Sequence, residues 1–261
     1  MSQALTIFPI TAAVTVLLML TVWGVSIVKR DVSIVDICWG LGFALIAVTT
    51  RATANGYAPR MHLITALTVV WGLRLSLYLL WRNWGQGEDF RYQAFRKRYG
   101  ERFWLVSLYL VFGLQGLLMW VVSLPVQIAQ IASVSARLTG LDAMGTLLWA
   151  IGLGFEAVGD WQLARFKSDP ANRGKVMDRG LWRYTRHPNY FGDALVWWGL
   201  FVIASATPAG VWTVIGPVVM TVFLMRVSGV PLLERKLVRT RPEYRDYMQR
   251  TSAFVPWFPK A

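Results

Sequence analysis

Apolar and polar segments alternate along the whole chain with a long period. Each apolar segment is close to the roughly 20 residues that a helix needs to cross about 30 Å of hydrocarbon at 1.5 Å per residue. The pattern predicts an all-α integral membrane protein, a bundle of about seven transmembrane helices with short amphipathic cytoplasmic segments. The predicted spans lie near 5–28, 33–50, 61–82, 104–132, 140–163, 189–207 and 210–227, and the fourth is expected to bend or extend at Pro125.

Composition fits this reading, because 55% of the residues are hydrophobic and the mean hydropathy is +0.43. No repeat, low-complexity tract or long linker interrupts the 261 residues, so we expect a single membrane domain over 1–261. Three polar segments, 83–103, 164–188 and 228–261, are predicted to be cytoplasmic. The last has the pattern of an amphipathic helix lying on the membrane face, with a surface-bound tail as the alternative.

Lysine and arginine are distributed unevenly between two sets of loops. The chain has 27 Lys and Arg against 14 Asp and Glu, and 23 of the 27 follow spans 1, 3, 5 and 7. Because positively charged loops stay in the cytoplasm, we expect the N-terminus outside and the C-terminus inside. The first span lacks a basic start and a clear cleavage site, which predicts a retained helix. Topology and contact with membrane lipid explain most of the net charge of +13, so no nucleic acid and no obligate protein partner is predicted.

Cysteine and histidine are scarce. The single cysteine, Cys38, excludes a disulfide within the chain and a cysteine-rich metal site. With only His62 and His187 beside it, no protein-bound transition metal is expected.

The informative side chains inside the predicted spans are ionisable, and each must face a partner, water or a ligand. They are Asp36, Arg74, Glu156, Asp160 and Asp193. Helical spacing brings Glu156, Asp160 and Lys167 near one face of the fifth helix and repeats Asn189, Asp193 and Trp197 on the sixth. We expect the two polar stripes to face a common cavity. A structural ion pair, such as Arg74 with Asp160 or Asp36, is the alternative.

The start of the sixth predicted helix has the features of a phosphate site. Pro188 suits the first helical position, and Arg183, Arg186 and His187 lie beside the positive helix end. Five further cations precede it, namely Arg165, Lys167, Arg173, Lys175 and Arg179. A phosphate-rich ligand explains them better than a lipid headgroup of the cardiolipin type, which stays the alternative. The two Gly-Leu-Gly-Phe segments lie in apolar helices without a preceding strand, so a soluble dinucleotide fold is excluded.

The run Gly-Leu-Trp-Arg-Tyr-Thr-Arg-His-Pro-Asn-Tyr-Phe-Gly-Asp at 180–193 resembles the C-terminal half of membrane steroid 5-alpha-reductases and sterol reductases. The flanking Asp160-Trp161-Gln162, Phe166-Lys167, Glu234, Tyr244, Tyr247 and Arg250 are similar too, and 36–40 is similar to the bacterial steroid-5-alpha-reductase-like branch. The resemblance implies a seven-helix fold that binds NADPH from the cytoplasmic side and reduces a carbon–carbon double bond of a lipidic substrate. The substrate pocket would then lie in 1–132 and the NADPH site in 140–261.

The resemblance also implies roles for single residues. The implied cofactor-binding residues are Arg74, Asp160, Lys167, Tyr184, Arg186, His187, Asn189, Asp193 and Glu234. Several sterol reductases have arginine where this chain has Lys167, which puts a bidentate phosphate contact there in doubt. The family places a glutamate and a tyrosine over the substrate carbonyl. The nearest counterparts found here are Asp36 as the acid and Tyr78 as the phenol, with Trp39 and Trp71 lining an apolar substrate pocket.

The function expected from the resemblance is NADPH-dependent reduction of a 3-oxo-4-ene steroid or a similar apolar enone. A second possibility is an S-adenosylmethionine-dependent methyltransferase of the isoprenylcysteine carboxyl type, which has a similar Arg-His-Pro-x-Tyr element. The extra cations at 165–175 favour a phosphorylated ligand over that one. A third is a lipid-binding scaffold or small transporter, although paired broken helices are not evident. The bacterial resemblance would put the protein in the inner membrane.

Overall fold

The computed structural model describes residues 2–132, 137–227 and 230–260, and for Ser2, Pro231 and Leu232 the backbone alone. Within these residues every regular element is a helix, which confirms the all-α prediction. The chain divides into two compact units. The first contains Met1–Asp142 and Ile203–Gly216, and the second contains Ala143–Val202 and Pro217–Ala261.

Twelve α-helices lie in the described part of the chain. They are α1 (Ser2–Lys29), α2 (Ile34–Thr53), α3 (Ala58–Asn83), α4 (Phe90–Tyr99), α5 (Phe103–Ser107), α6 (Leu114–Val122), α7 (Leu124–Ile131), α8 (Gly140–Ser168), α9 (Pro188–Ala204), α10 (Ile215–Val222), α11 (Val230–Thr240) and α12 (Tyr244–Arg250). Short 3₁₀ and π-helical turns join α4 to α5, α5 to α6, and the end of α10 to the following residues. The helix predicted for the polar segment after 228 is present as α11.

Six helical segments in the described residues are long and apolar enough to cross a membrane. They are Gln3–Lys29, Ile34–Thr53, Ala58–Asn83, Phe90–Val122, Gly140–Ser168 and Pro208–Val227. The predicted span at 189–207 is the exception, because α9 has only 17 residues, about 25 Å of helix. The predicted fourth span also differs. It begins at Phe90 and ends at Val122, and Pro125 lies in the first turn of the separate helix α7.

In the first unit, α2 and α3 approach so closely that their backbones touch. A methyl group added at Gly40 would lie 2.1 Å from the carbonyl oxygen of Gly72. Beside this contact, the backbone N–H of Leu41 donates to the hydroxyl of Ser76 over 3.0 Å. Small residues with interhelical hydrogen bonds are the usual means of joining helices in lipid, where burial of apolar surface gives no advantage.

A buried ion pair joins the start of α3 to the start of α8 within the same unit. Arg60 donates from Nε to Asp142 Oδ1 over 2.7 Å and from Nη2 to Oδ2 over 2.8 Å. Both side chains are at most 2% exposed. Asp142 also accepts from the backbone N–H and hydroxyl of Thr139, so its oxygens are satisfied on every side.

In the second unit, glycines at heptad spacing bring α8 and α9 into backbone contact. A methyl group added at Gly152 would lie 2.7 Å from the carbonyl oxygen of Gly192, and one at Gly199 would lie 2.6 Å from that of Gly145. One at Gly159 would meet the ring of Pro188 at 3.1 Å. This close approach holds the polar residues of the two helices against one another.

Candidate functional site

The residues around the start of α9 form a buried ionic cluster with α11. Glu234 Oε1 accepts from Arg186 Nε over 2.7 Å and contacts His187 Nε2 at 3.0 Å. Tyr244 donates to the same oxygen over 3.4 Å. Arg186, His187 and Glu234 are all at most 8% exposed. The carboxylate therefore holds three side chains that come from two separate stretches of the chain, 186–187 and α12.

Arg186 also fixes the C-terminal segment 251–260. Its Nη1 donates to the carbonyl oxygens of Met248 and Thr251, over 2.9 and 2.6 Å, and its backbone N–H donates to Ser252 over 2.9 Å. Nearly all the donors of this guanidinium are thus occupied within the protein. Arg186 thus holds Glu234 and the C-terminal segment in place, and the phosphate contact expected from the sequence stays a prediction.

His187 is held in one orientation by Glu234 on one side and by the ring of Tyr190 on the other. The two rings stack with centroids 5.3 Å apart and planes 5° apart. Burial lowers the pKa of His187 and outweighs the opposing hydrogen bond from Glu234, so the imidazole is neutral at pH 7. Because an ionised carboxylate only accepts, we assign the hydrogen to Nε2. Nδ1 is then an acceptor, and no described residue donates to it.

Electrostatics keeps Glu234 ionised despite its burial. Burial alone would raise the pKa of Glu234, but the hydrogen bonds from His187 and Arg186 and the charge of Arg186 lower it below its ordinary value. The neighbouring phenols respond in the opposite direction. Burial, followed by the charge of Glu234, raises the pKa of Tyr244, so this hydroxyl remains a donor at physiological pH.

The polar stripes predicted on the fifth and sixth spans meet at the α8–α9 contact. Asn189 donates from Nδ2 to Asp160 Oδ1 over 3.1 Å, and its own Oδ1 accepts from the backbone N–H of Tyr190. Glu156 and Asp160 are each 3% exposed, and both have further interactions, as does Asp193. Asp160 and Asn189 therefore bind one another directly, and the common cavity expected between the two stripes stays a prediction.

Two neighbouring cavities open beside this region, and they share Arg179 and Gly180. The first has a volume of about 440 Å³ and is lined by Trp161, Gln162, Arg165, Phe166, Ser168, Asp169, Asn172, Met177, Arg179 and Gly180. The second, the cationic groove, has a volume of about 540 Å³ and is lined by Asp178, Arg179, Gly180, Arg183, Arg250, Thr251, Pro259 and Lys260. Volumes of this size are typical of small-molecule sites.

The first unit contains a separate polar cluster around Asp36. Arg91 Nη2 donates to Asp36 Oδ2 over 2.6 Å, and the hydroxyl of Tyr92 donates to Oδ1 over 2.7 Å. Gln115 Nε2 in turn donates to the Tyr92 oxygen over 3.1 Å. Asp36 therefore acts as an acceptor in this arrangement, whereas the sequence reading gave it the role of a protonated donor.

The other residues predicted for the first unit lie along α2 and α3. Trp71 is fully buried, and its ring packs against Phe43, which packs in turn against Trp39. Tyr78 lies under the guanidinium groups of Arg74 and Arg82, at 5.2 and 5.6 Å. Trp71 is thus a core residue, and Tyr78 is surrounded by cations.

Of the remaining predicted residues, Tyr184 and Lys167 are exposed. The carbonyl oxygen of Tyr184 accepts from the backbone N–H of Trp257, and its ring packs edge-on against Phe258. Lys167 lies in the last turn of α8, next to the cavity residues Phe166 and Ser168. Tyr184 thereby helps to anchor the C-terminal segment.

Sequence reasoning missed several residues that these sites contain, among them Tyr92, Thr251 and Lys260. Tyr92 lies in a segment read as a polar loop, although the helical spacing of Asp89 and Tyr92 against apolar neighbours would have indicated a helix. Arg250 was noted only through the resemblance, and Thr251 and Lys260 were not singled out. No local pattern marks these three, because the groove arises only when 250–260 packs beside 178–183.

Comparison with known proteins gives a family. A family model described as "Protein of unknown function (DUF1295)" matches residues 22–251. An uncharacterized protein of Schizosaccharomyces pombe is 23% identical over 263 aligned positions, which cover 90% of this chain and 75% of that protein. No solved structure matches the chain. Because the family model matches nearly the whole length, this chain belongs to the DUF1295 family.

Proposed function

We propose that the protein is an NADPH-dependent membrane reductase that acts on the carbon–carbon double bond of a 3-oxo-4-ene steroid or a similar apolar enone. The observation that carries this proposal is the pair of adjoining cavities in the second unit, one aromatic and polar, the other cationic. The DUF1295 family is associated with steroid 5-alpha-reductase-like membrane proteins, which supports the same reading.

The residues that line the cavities fit the chemistry of NADPH. Trp161 and Phe166 offer aromatic faces for a flat base, and Gln162 and Asn172 offer amide groups beside them. The cationic groove next to them suits the phosphates of NADPH, since one guanidinium group can donate two parallel hydrogen bonds to phosphate oxygens. Asp160 and Asn189 supply further polar groups at the α8–α9 contact. When bound, NADPH would supply a hydride to the beta-carbon of the enone.

The ionic cluster of Arg186, His187 and Glu234 supports this site indirectly. It ties the start of α9 to α11 and to the C-terminal segment, both of which belong to the second unit. A ligand site needs side chains that are already in place before binding, because ordering them later weakens affinity. We therefore assign these three residues to positioning.

Reduction of an enone also requires a donor beside the substrate ketone. As hydride reaches the beta-carbon, negative charge develops on the ketone oxygen, and a preorganised donor lowers the barrier. Arg91 and Tyr92 are the donors of the Asp36 cluster, and Asp36 and Gln115 hold the Tyr92 hydroxyl in place. The Tyr92 hydroxyl gives its single hydrogen to Asp36, so it has none to donate to a ketone oxygen, and the phenol role stays with Tyr78. By the distribution of Lys and Arg, we place the N-terminus outside and the C-terminus in the cytoplasm.

Turnover of purified protein tests the proposal. With a 3-oxo-4-ene steroid as substrate, NADPH absorbance should fall, and Arg165→Gln, which removes a cation from the wall of the first cavity, should raise the KM for NADPH several-fold with little change in kcat. Arg239→Gln is the matched control, because Arg239 is an exposed arginine of α11 that lines neither cavity. Absence of NADPH oxidation with any enone contradicts the proposal. Binding of S-adenosylmethionine would then favour methyl transfer, and substrate flux in liposomes would favour a transporter.

A further inference from the structure

We propose that the cationic groove is a binding site for a phosphate monoester, built jointly by the loop 178–183 and the C-terminal segment. The loop contributes Arg179 and Arg183, and the C-terminal part of the chain contributes Arg250 and Lys260. Neither stretch alone carries more than two of these cations. The site therefore exists only because the two stretches pack side by side.

The groove carries more positive charge than its own residues neutralise. Asp178 is its single acid, and it pairs with Arg250 at 3.3 Å. Arg179, Arg183 and Lys260 have no salt-bridge partner in the part of the chain that the structure describes. Like charges close together repel, and an anion in the groove would relieve that repulsion.

A scaffold of hydrogen bonds holds the loop that carries two of the cations. Gln162 of α8 accepts from the backbone N–H of Leu181 over 3.0 Å, and the indole N–H of Trp182 donates to the carbonyl oxygen of Gly159 over 3.0 Å. The hydroxyl of Tyr247 on α12 donates to the carbonyl oxygen of Trp182. The loop is thus tied to two helices, and its cations need little ordering when a ligand binds.

Hydrogen bonds also hold the C-terminal segment in place. Thr185 donates from Oγ1 to the carbonyl oxygen of Phe254 over 2.8 Å, and the backbone N–H of Trp257 donates to Tyr184 over 2.9 Å. The backbone N–H of Lys260 donates to the carbonyl oxygen of Arg250 over 2.9 Å. This last bond brings the two C-terminal cations of the groove together.

Gly180 is required at the bottom of the groove. Its φ is +59°, a conformation that side chains disfavour, and an added methyl group would lie 2.5 Å from the amide nitrogen of Gln162. The absence of a side chain lets the chain turn between Arg179 and Arg183 while Gln162 keeps its hydrogen bond. Both cavities contain this residue in their walls.

The charge count favours a phosphate monoester over a diester. A monoester carries about −1.5 to −2 at neutral pH and offers three strong acceptor oxygens, which matches three unpaired cations. A diester carries a single negative charge. The inference deepens the proposed function at one point, the choice of NADPH over NADH, since the 2′-phosphate is a monoester. The same chemistry occurs in a lipid headgroup such as phosphatidic acid.

Binding measurements on the full-length wild-type protein test the inference without any variant. NADP⁺ and NAD⁺ differ only in the 2′-phosphate, and phosphatidic acid and phosphatidylglycerol differ as monoester and diester lipids. We expect the monoester member of at least one pair to bind at least ten-fold more tightly, with a preference that weakens as salt increases. Equal affinity within both pairs overturns the inference.

Two variants then test whether the monoester preference comes from the cationic groove. Arg183→Gln and Lys260→Gln should each reduce the monoester preference several-fold, with the melting temperature unchanged. Arg239→Gln is the matched control, because it removes an exposed cation of α11 that does not line the groove. A preference that survives in both groove variants also overturns the inference.

The two pairs of ligands separate this inference from the proposed function. Preference for NADP⁺ supports both. Preference for phosphatidic acid, with equal binding of NADP⁺ and NAD⁺, supports the monoester site and identifies its source as lipid, which counts against NADPH as the ligand of the groove.

Discussion

At the scale of single residues, Glu234 is the buried carboxylate that holds the ionic cluster of the second unit together. It is ionised and buried, and Arg186 and His187 both rely on it. We expect Glu234→Gln to lower the free energy of unfolding by about 3–5 kcal/mol, because the guanidinium of Arg186 would remain buried without a countercharge. Chemical denaturation in detergent measures this. Glu243→Gln, an exposed substitution next to α12, is the control and should leave stability nearly unchanged.

The same cluster predicts how stability depends on pH. Burial lowers the pKa of His187 below its ordinary value of 6.5, so below about pH 6.5 the unfolded chain binds more protons than the folded one, and stability falls as pH falls. For Glu234, burial acts to raise the pKa, but its hydrogen bonds to His187 and Arg186 lower it, so its contribution is lost only at still lower pH.

Melting temperatures measured between about pH 8 and pH 4 should therefore be flat above neutrality and fall below about pH 6.5. His187→Gln should remove the upper part of this fall and keep the lower part. A melting temperature that rises on acidification from pH 7 to pH 5 would contradict the assignment of a neutral His187.

Residue roles show where sequence reasoning reached its limit. The resemblance drew attention to Arg186, His187, Asn189 and Glu234, and the structure brings them into one unit. It could not show that Arg186 and Glu234 would bind one another, since they are 48 positions apart and their contact depends on the packing of α11. The resemblance therefore could not predict that Arg186 holds Glu234 and the C-terminal segment in place.

At the scale of helices, backbone contact between α8 and α9 is the central feature of the second unit. Gly152→Ala should destabilise the protein by about 1–3 kcal/mol, because its methyl group would lie 2.7 Å from backbone atoms of α9. Gly154→Ala is a closely matched control on the same helix, with nothing within 4 Å, and should be neutral or slightly stabilising. Equal effects in thermal unfolding would contradict the close packing.

The helices also show what hydropathy can and cannot predict. Apolar length placed α1, α2, α3 and α8 well, because a spanning segment must satisfy its backbone internally and therefore forms a helix. Apolar length predicted the end of α9 less accurately. The apolar run continues to 207, but α9 ends at Ala204, and a 3₁₀ turn follows from Pro208. Hydropathy measures how apolar a segment is and does not detect where the helix ends.

At the scale of the whole molecule, membrane topology depends on whether the short helix α9 crosses the bilayer. Seven crossings put the termini on opposite sides, and the charge distribution predicts the C-terminus in the cytoplasm. In a Cys38→Ser background, a cysteine at Leu138 should react with an impermeant maleimide from outside, and one at Arg239 only from the cytoplasm. Labelling of both from the same side would contradict this topology.

The division into two units gives the proposed function separable parts. Variants of the second unit that line the cavities, such as Arg183→Gln, should change nucleotide affinity, whereas Tyr92→Phe in the first unit should leave nucleotide affinity unchanged. The sequence predicted a single membrane domain over 1–261, and the resemblance implied a substrate pocket in 1–132 and an NADPH site in 140–261. In the structure the first long stretch of the first unit ends at Asp142. The sequence did not predict that Ile203–Gly216 joins the first unit, because that assignment depends on contacts between distant stretches of chain.

The proposed function is tested most directly by the equilibrium binding of NADPH to the full-length protein in nanodiscs. Quenching of tryptophan fluorescence measures this binding. We expect one NADPH to bind saturably per chain. Arg183→Gln should weaken this binding, and S-adenosylmethionine should leave it unchanged. Saturable binding of S-adenosylmethionine together with no detectable binding of NADPH would contradict the proposed function.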